Sequence, residues 1–328
     1  MNDFGFVGPF AEELAAHIML KRAVGYRYRT DEGKLRSFDS FTAEHYPNTT
    51  NLTREIVLAW CAKTAWETDA NRSARASVLR QFAIYLHQIG KEAFVLPKSF
   101  YPSGKQYTPH IYTDDEPYRF FEQTDHCHAV SECPYRHLVM PVFFRMIYSC
   151  GLRCSEARLL KYENVDLENG VLQILNSKND RSRVVPMPAS LTERCRIYAE
   201  QVHFRPDENA WFFPGMYKRE ITPTNAYHNF RRFLFQAEIS HGGRGKGPRI
   251  HDFRHTFACR CLKRWSAEGR DLNAWLPVLK AYMGHDSFAD TAYYLRLTAD
   301  VYPEIHSKLN SVFPAVIPEL EVHDEETD

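Results

Sequence analysis

The sequence predicts a mainly α-helical protein with a small antiparallel β-hairpin or sheet, divided into a helical first domain and an α+β second domain. Three observations carry this. Apolar residues recur at helical spacing along most of the chain, two short β-rich runs bracket a polar tip, and an aperiodic, proline-containing stretch separates the two halves. At 328 residues with 44% hydrophobic content, two domains with sizeable cores are expected.

In the first domain, Phe10, Leu14, His17 and Ile18 share one helical face, Ile56, Trp60 and Cys61 a second, and Leu79, Phe82, Ala83 and Leu86 a third. The runs Asn51 to Glu55 and Thr68 to Asn71 offer helix-start caps. The domain is assigned to residues 1–100. A linker follows over 101–111, with Pro102, Gly104 and Pro109. The second domain starts at about residue 112, where Asp114, Asp115 and Glu116 suit the positive end of a helix.

Within it, Met140 to Ile147 reads as a buried helix that breaks at Gly151, and a further helix is expected around Glu156 to Tyr162. Val171 to Leu175 and Val184 to Met187 read as two strands joined by a polar tip. Helices are expected over 189–203, 223–238, 251–264, 271–283 and 288–296. The domain is taken to run to residue 312. Residues 313–328 form an acidic tail expected to be disordered, with six acids between Glu319 and Asp328.

The net charge of zero hides an asymmetry. Residues 1–110 hold 14 basic and 11 acidic side chains, residues 111–298 hold 26 and 22, and residues 299–328 hold 1 and 8. A mildly basic body therefore carries an acidic end, which is compatible with a nucleic-acid partner. No apolar run reaches the roughly 18 residues needed to span a bilayer, so no membrane partner is expected. The first residues lack a signal-peptide pattern and the eight cysteines are spread widely, so reduced thiols and a cytoplasmic location are expected.

Five separated segments carry the chemistry: Gly151-Leu152-Arg153-Cys154-Ser155-Glu156, Lys178 in the hairpin, His251-Asp252-Phe253-Arg254-His255-Thr256, Gly284-His285, and Tyr294. Attack on a phosphodiester builds negative charge on its non-bridging oxygens, which planar guanidinium forks match; Arg153 and Arg254 suit that role. A tyrosine hydroxyl, with an ordinary pKa of about 10, needs a proton acceptor or nearby positive charge to become a nucleophile. His251 is the candidate acceptor, or a further phosphate ligand. At 100° per residue His251 and Arg254 lie about 60° apart on one helix face, while Phe253 and Phe257 mark another that suits the core. Leu272, Trp275, Leu276 and Leu279 form a stripe ending at Gly284, which would hold His285 just past a firm helix end.

In order and spacing these segments resemble the tyrosine recombinases, the lambda-integrase-like and Xer-like site-specific DNA recombinases. The resemblance covers about residues 112–310, and the helical first domain matches that family's core-binding domain in character. It implies six catalytic residues: Arg153, Lys178 as general acid toward the leaving 5′ oxygen, His251, Arg254, His285 as a donor to a non-bridging oxygen, and Tyr294 as nucleophile. Tyr293 and Tyr282 are rivals, but the family's histidine-to-tyrosine spacing selects Tyr294. Glu156 and Asp252 are read as orienting neighbours, and Arg158, Arg260 and Lys263 as having no catalytic role.

The resemblance further implies double-stranded DNA as partner, a tetramer acting on two DNA sites, accessory DNA-bending or co-recombinase proteins, and nucleoid association when bound. No cofactor is implied. His126, Cys127, His128, Cys133 and His137 crowd together but match no closed zinc pattern, so no metal is expected. The near-minimal two-domain length, and the absence of the Thr-His that commonly follows the nucleophile in Xer-like proteins, point to a mobile-element integrase, with a chromosome or plasmid dimer resolvase as the alternative. A relaxing type IB topoisomerase shares the tyrosine chemistry, but the separate first domain favours recombination. A non-catalytic DNA-binding factor on the same scaffold is the alternative from another class. All six active-site residue types are present, which argues against it.

Overall fold

The computed structural model describes residues 4–301 except 27, 99, 102–106, 176–181, 205–206, 208, 243–246 and 286. The chain forms two compact units, Met1–Thr108 and Pro109–Asp328. The stretch expected as linker, 101–111, overlaps this division. Ile111 packs against one hydrophobic cluster of the second unit, and Tyr112 is 1% exposed, with its N–H donating to Thr256 Oγ1 at 3.0 Å.

Among the described residues, the first unit contains four helices: α1 (Ala11–Ala23), α2 (Arg29–His45), α3 (Arg54–Trp60) and α4 (Asp69–Gln88). Their apolar faces meet in one core built from Leu14, Ile18, Leu35, Phe38, Ile56, Trp60, Leu79 and Phe82. Thr53 and Thr68 cap α3 and α4, accepting the N–H groups of Ile56 and Asn71. The buried Asp39 carboxylate of α2 accepts the N–H groups of Val7 and Gly8 at 2.8 and 2.9 Å, which pins the segment ahead of α1. His17, 1% exposed, lies among the rings of Tyr28, Phe82 and Tyr85.

The second unit contains α5 (Asp115–Asp125), α6 (Arg136–Cys150), α7 (Cys154–Arg158), β1 (Val165–Asp166), β2 (Val171–Ile174), β3 (Arg183–Pro186), α8 (Ala189–Val202), α9 (Pro223–Gln236), α10 (Ile250–Ala267), α11 (Leu272–Met283) and α12 (Phe288–Val301). Apolar on most sides, α6 is the central helix and packs against α5, α8 and α10. Aromatic rings fill the space around it: Phe120 lies 5.5 Å from Phe144, 5.6 Å from Phe230 and 5.2 Å from Phe253. A second cluster joins the far side of α10 to α11 and α12 through Leu262, Trp265, Leu276, Met283 and Leu295.

One local expectation needs correction. The helix expected around Glu156 to Tyr162 spans Cys154–Arg158, because the chain then turns outward to bridge Lys161 to Trp211. The expected hairpin gains a third antiparallel strand, giving the order β1-β2-β3 with Leu172 opposite Val185. Leu172 and Ile174 face the core while Gln173 faces out, the alternation that fixes register. The hairpin tip with Lys178, the chain from 302 to 312 and the acidic tail lie outside the described residues. Among the described residues, no helix is long and apolar enough to cross a membrane.

Candidate active site

Helix α6 ends on Gly151, whose φ of +59° lets the chain reverse sharply. A Cβ there would lie 2.6 Å from the Phe257 ring. The reversal puts Arg153 at the N-cap of α7, where its N–H donates to Glu156 Oε2 and its Nη1 to Glu156 Oε1, both at 2.8 Å. Arg183 of β3 approaches the same carboxylate from the other side, Nη1 donating to Oε1 at 2.9 Å and Nη2 to Oε2 at 2.8 Å.

Burial by itself would raise the Glu156 carboxyl. The hydrogen bonds and charge of Arg183, the Arg153 N–H and the charge of Arg254 outweigh it and bring the pKa down to about 2. Glu156 is therefore ionised and holds two guanidiniums in fixed positions.

The end of α11 supplies the complementary half. Gly284, with φ of +64°, closes this helix. Its lack of a side chain leaves room for the Arg183 guanidinium, which would sit 3.1 Å from a Cβ. Three successive carbonyls here each accept from a different arginine: Tyr282 from Arg183 Nε at 2.8 Å, Met283 from Arg254 Nη2, and Gly284 from Arg153 Nη2 at 2.9 Å. These are the carbonyls a helix end leaves without an intrahelical partner, and the helix dipole favours cations beside them.

Arg254 extends from α10 and is 1% exposed. Its Nη1 donates to Gly151 O at 2.7 Å and its Nη2 lies 3.1 Å from His285 Nε2. Burial draws its pKa down to about 10, with the charge of Tyr294 acting in the opposite direction, so it remains a cation at neutral pH. Because guanidinium only donates, His285 Nε2 accepts. Nδ1 therefore carries the proton and donates to Thr291 Oγ1 at 3.0 Å.

Tyr294 is 3% exposed on α12. Its ring stacks on His285, 5.5 Å between centroids and 13° between planes, and lies 5.4 Å from the ring of His255. Burial raises the Tyr294 pKa, while the charge and a hydrogen bond from Arg254 lower it in part, leaving the hydroxyl protonated at neutral pH. Tyr293 is half-buried, its ring 6.1 Å from His255.

His251 starts the same face of α10 as Arg254. Its ring is open to solvent on one side, yet the surrounding protein, followed by the charges of Arg254 and Arg153, lowers its pKa to about 4. Burial and the neighbouring His251, Arg254 and His285 bring His255 to about 3. Both rings are thus neutral acceptors at neutral pH, and among the described residues the positive charge of the site resides in guanidinium groups.

Arg153, His251, Arg254, His285 and Tyr294 therefore gather around one centre, and Lys178 lies outside the described residues. Sequence reasoning missed Arg183, His255 and Thr291 as site residues. His255 lies within the quoted motif, whereas nothing local marks Arg183, whose carboxylate partner is 27 residues away. Arg158 and Arg260 serve the fold, binding Ile221 O, and Asp114 with Thr113 O. Among the described residues, no three of His, Cys, Asp and Glu gather where they could hold a metal ion.

Residues 120–300 match the model of the phage integrase family, and the chain belongs to that family of tyrosine recombinases. Two relatives show the range of similarity. The putative integrase/recombinase y4rB of Sinorhizobium fredii is 27% identical over 305 residues, covering 92% of this chain and 96% of that protein. The tyrosine recombinase XerA of Thermococcus kodakarensis is 28% identical over 160 residues, covering 47% of this chain and 50% of its own. Among solved structures, XerH bound to a palindromic difH substrate in a post-cleavage complex superposes with a TM-score of 0.62 at 18% identity, covering 87% of this chain and 79% of that one. The Tn1549 transposon integrase in complex with circular intermediate DNA gives 0.61 at 15% identity, covering 86% and 94%. Both share the fold.

Proposed function

We propose that this protein is a site-specific DNA recombinase of a mobile element, which cuts and rejoins double-stranded DNA through Tyr294. The observation that carries the reading is the placement of the Tyr294 ring against His285, whose Nε2 accepts from Arg254, within a group of three guanidiniums. A nucleophile beside fixed, water-poor cations is the arrangement that stabilises charge developing on a phosphate.

In this mechanism the Tyr294 oxygen attacks the scissile phosphorus and its proton passes to the neutral His251. Arg153 and Arg254 stabilise the non-bridging oxygens, and His285 positions the Arg254 guanidinium through its Nε2. The bond to the 5′ oxygen breaks, Lys178 protonates that oxygen, and a 3′-phosphotyrosyl link remains. A 5′ hydroxyl from a partner strand reverses the step. One phosphoester replaces another, so rejoining requires no nucleotide hydrolysis. Exchange between two duplexes requires a tetramer, with the first unit acting as the DNA-holding core-binding domain. The protein works in the cytoplasm, on the nucleoid, where accessory DNA-bending or co-recombinase proteins would join it.

The test is trapping on nicked suicide duplexes drawn from the DNA flanking the gene, read as a protein–DNA adduct on a denaturing gel. Wild type and Tyr293→Phe are expected to trap DNA, with or without chelator, and Tyr294→Phe is not. Trapping by Tyr294→Phe but not Tyr293→Phe refutes the assignment. DNA binding without any adduct favours a non-catalytic factor.

A further inference from the structure

Attack by Tyr294 leaves a proton to be carried away, and three imidazoles stand at the site. His285 is engaged at both nitrogens, Nε2 with Arg254 Nη2 at 3.1 Å and Nδ1 with Thr291 Oγ1 at 3.0 Å. His251 is exposed, and among the described residues its ring meets that of His255, with centroids 4.8 Å apart, rather than that of Tyr294. His255 reaches the nucleophile as well, its ring lying 5.4 Å from that of Tyr294. We propose that His255 is the first acceptor of the Tyr294 proton and hands it on to His251 at the surface. The inference rests on the recombinase reading above and places a carrier between the two residues which that reading joins.

Helix α10 lays out the path. His251 and His255 are four residues apart, so they share one face a turn from each other, the first exposed and the second half-buried where α10 packs on α12. His255 Nδ1 is buried and has no hydrogen-bond partner. A polar atom that has lost water without gaining a partner is destabilising and calls for an explanation. A neutral imidazole keeps one bare nitrogen. With Nδ1 held by nothing, the ring can change its protonation without breaking a hydrogen bond at that atom, whereas His285 would lose its bond to Arg254.

The charges around His255 decide when the transfer occurs. Facing it are His251 and Arg254 on its own helix, His285 after α11, and Tyr293 and Tyr294 on α12. Burial, followed by the charges of His251, Arg254 and His285, holds its pKa to about 3, while burial raises that of Tyr294. Transfer is therefore strongly uphill in the empty site, and the tyrosine stays protonated. A bound phosphate adds the negative charge that favours an imidazolium. As the Tyr294 oxygen bonds to phosphorus its O–H bond breaks, and the proton goes to the bare nitrogen of His255. The imidazolium then releases a proton to His251, and the electron pair of the breaking P–O bond leaves with the 5′ oxygen.

The experiment is single-turnover adduct formation on saturating nicked suicide duplex by wild type, His255→Phe and His251→Phe. Phenylalanine keeps an aromatic ring beside Tyr294 but accepts no proton. His255→Phe is expected to slow adduct formation about 100-fold or more with duplex affinity unchanged, and His251→Phe to slow it as well. His255→Ala is expected to be slow and to be accelerated about tenfold by added imidazole, a response that lost packing alone does not give. This second variant keeps the test valid if His255→Phe fails to fold. A folded His255→Phe that forms adduct within about threefold of the wild-type rate overturns the inference alone, as does a slow His255→Ala that imidazole leaves unchanged. Failure of wild type to form any adduct, with duplex bound, overturns the recombinase reading and this inference with it.

Discussion

Replacing Glu156 by glutamine keeps the shape of the side chain while removing the charge that holds Arg153 and Arg183. The carboxylate side chain is 4% exposed and accepts four hydrogen bonds. Its pKa falls from an ordinary 4.5 to about 2, so ionisation stabilises the folded state by about 3 kcal/mol. That contribution is present in full above pH 4.5 and disappears as pH falls through 2. Glutamine offers one acceptor oxygen and turns its NH2 toward a donor-only guanidinium, so Glu156→Gln is expected to lose most of that energy. In a unit of this size the loss corresponds to a fall in melting temperature of about 6–12 °C at pH 7. Thermal melts of both proteins between pH 7 and pH 3 check this, because the gap should shrink to less than half by about pH 3. A variant melting within about 1 °C of wild type at pH 7, or a gap that does not change with pH, would refute the role given to this carboxylate.

Gly151→Ala is expected to destabilise the second unit by about 2 kcal/mol or more, read by denaturant unfolding, since a Cβ would strain the φ of +59° and meet a Phe257 ring stacked on Tyr282. Thr291→Val fits the same buried space but leaves the His285 Nδ1 proton without its acceptor; adduct formation should slow about tenfold while the melting temperature stays within a few degrees. In the first unit, burial and then the charge of Lys21 lower His17 from 6.5 to about 4. Its neutral form therefore contributes about 3 kcal/mol that is lost as pH falls from 6.5 through 4, and hydrogen exchange in α1 and α4 should show a loss of protection that His17→Gln flattens.

Features written into neighbouring residues were legible in the sequence. The helical faces of Leu79, Phe82, Ala83 and Leu86 and of Leu272, Leu276 and Leu279 are buried, and Gly151 and Gly284 end their helices. The start of α2 carried no such mark: it opens on Tyr28 in a left-handed conformation with no side-chain cap. Strand β1 is two residues long, held by pairing with β2 rather than by a pattern of its own. At the site, the motif spacing pointed to Arg153, His251, Arg254, His285 and Tyr294, which the fold brings together. Arg183 could not be found that way, because its partners are a carboxylate on α7 and a carbonyl on α11, and only folding makes those neighbours.

The three carbonyls at the end of α11 have a further consequence. A carbonyl fixes a guanidinium without cancelling its charge, whereas a carboxylate does both. With Glu156 as the only carboxylate bonded to these arginines among the described residues, three cations are held at fixed points against one anion. The three guanidiniums therefore repel one another, and the one carboxylate offsets that repulsion only in part. An oxyanion placed between the guanidiniums would supply countercharge, so binding there would also steady the fold around it.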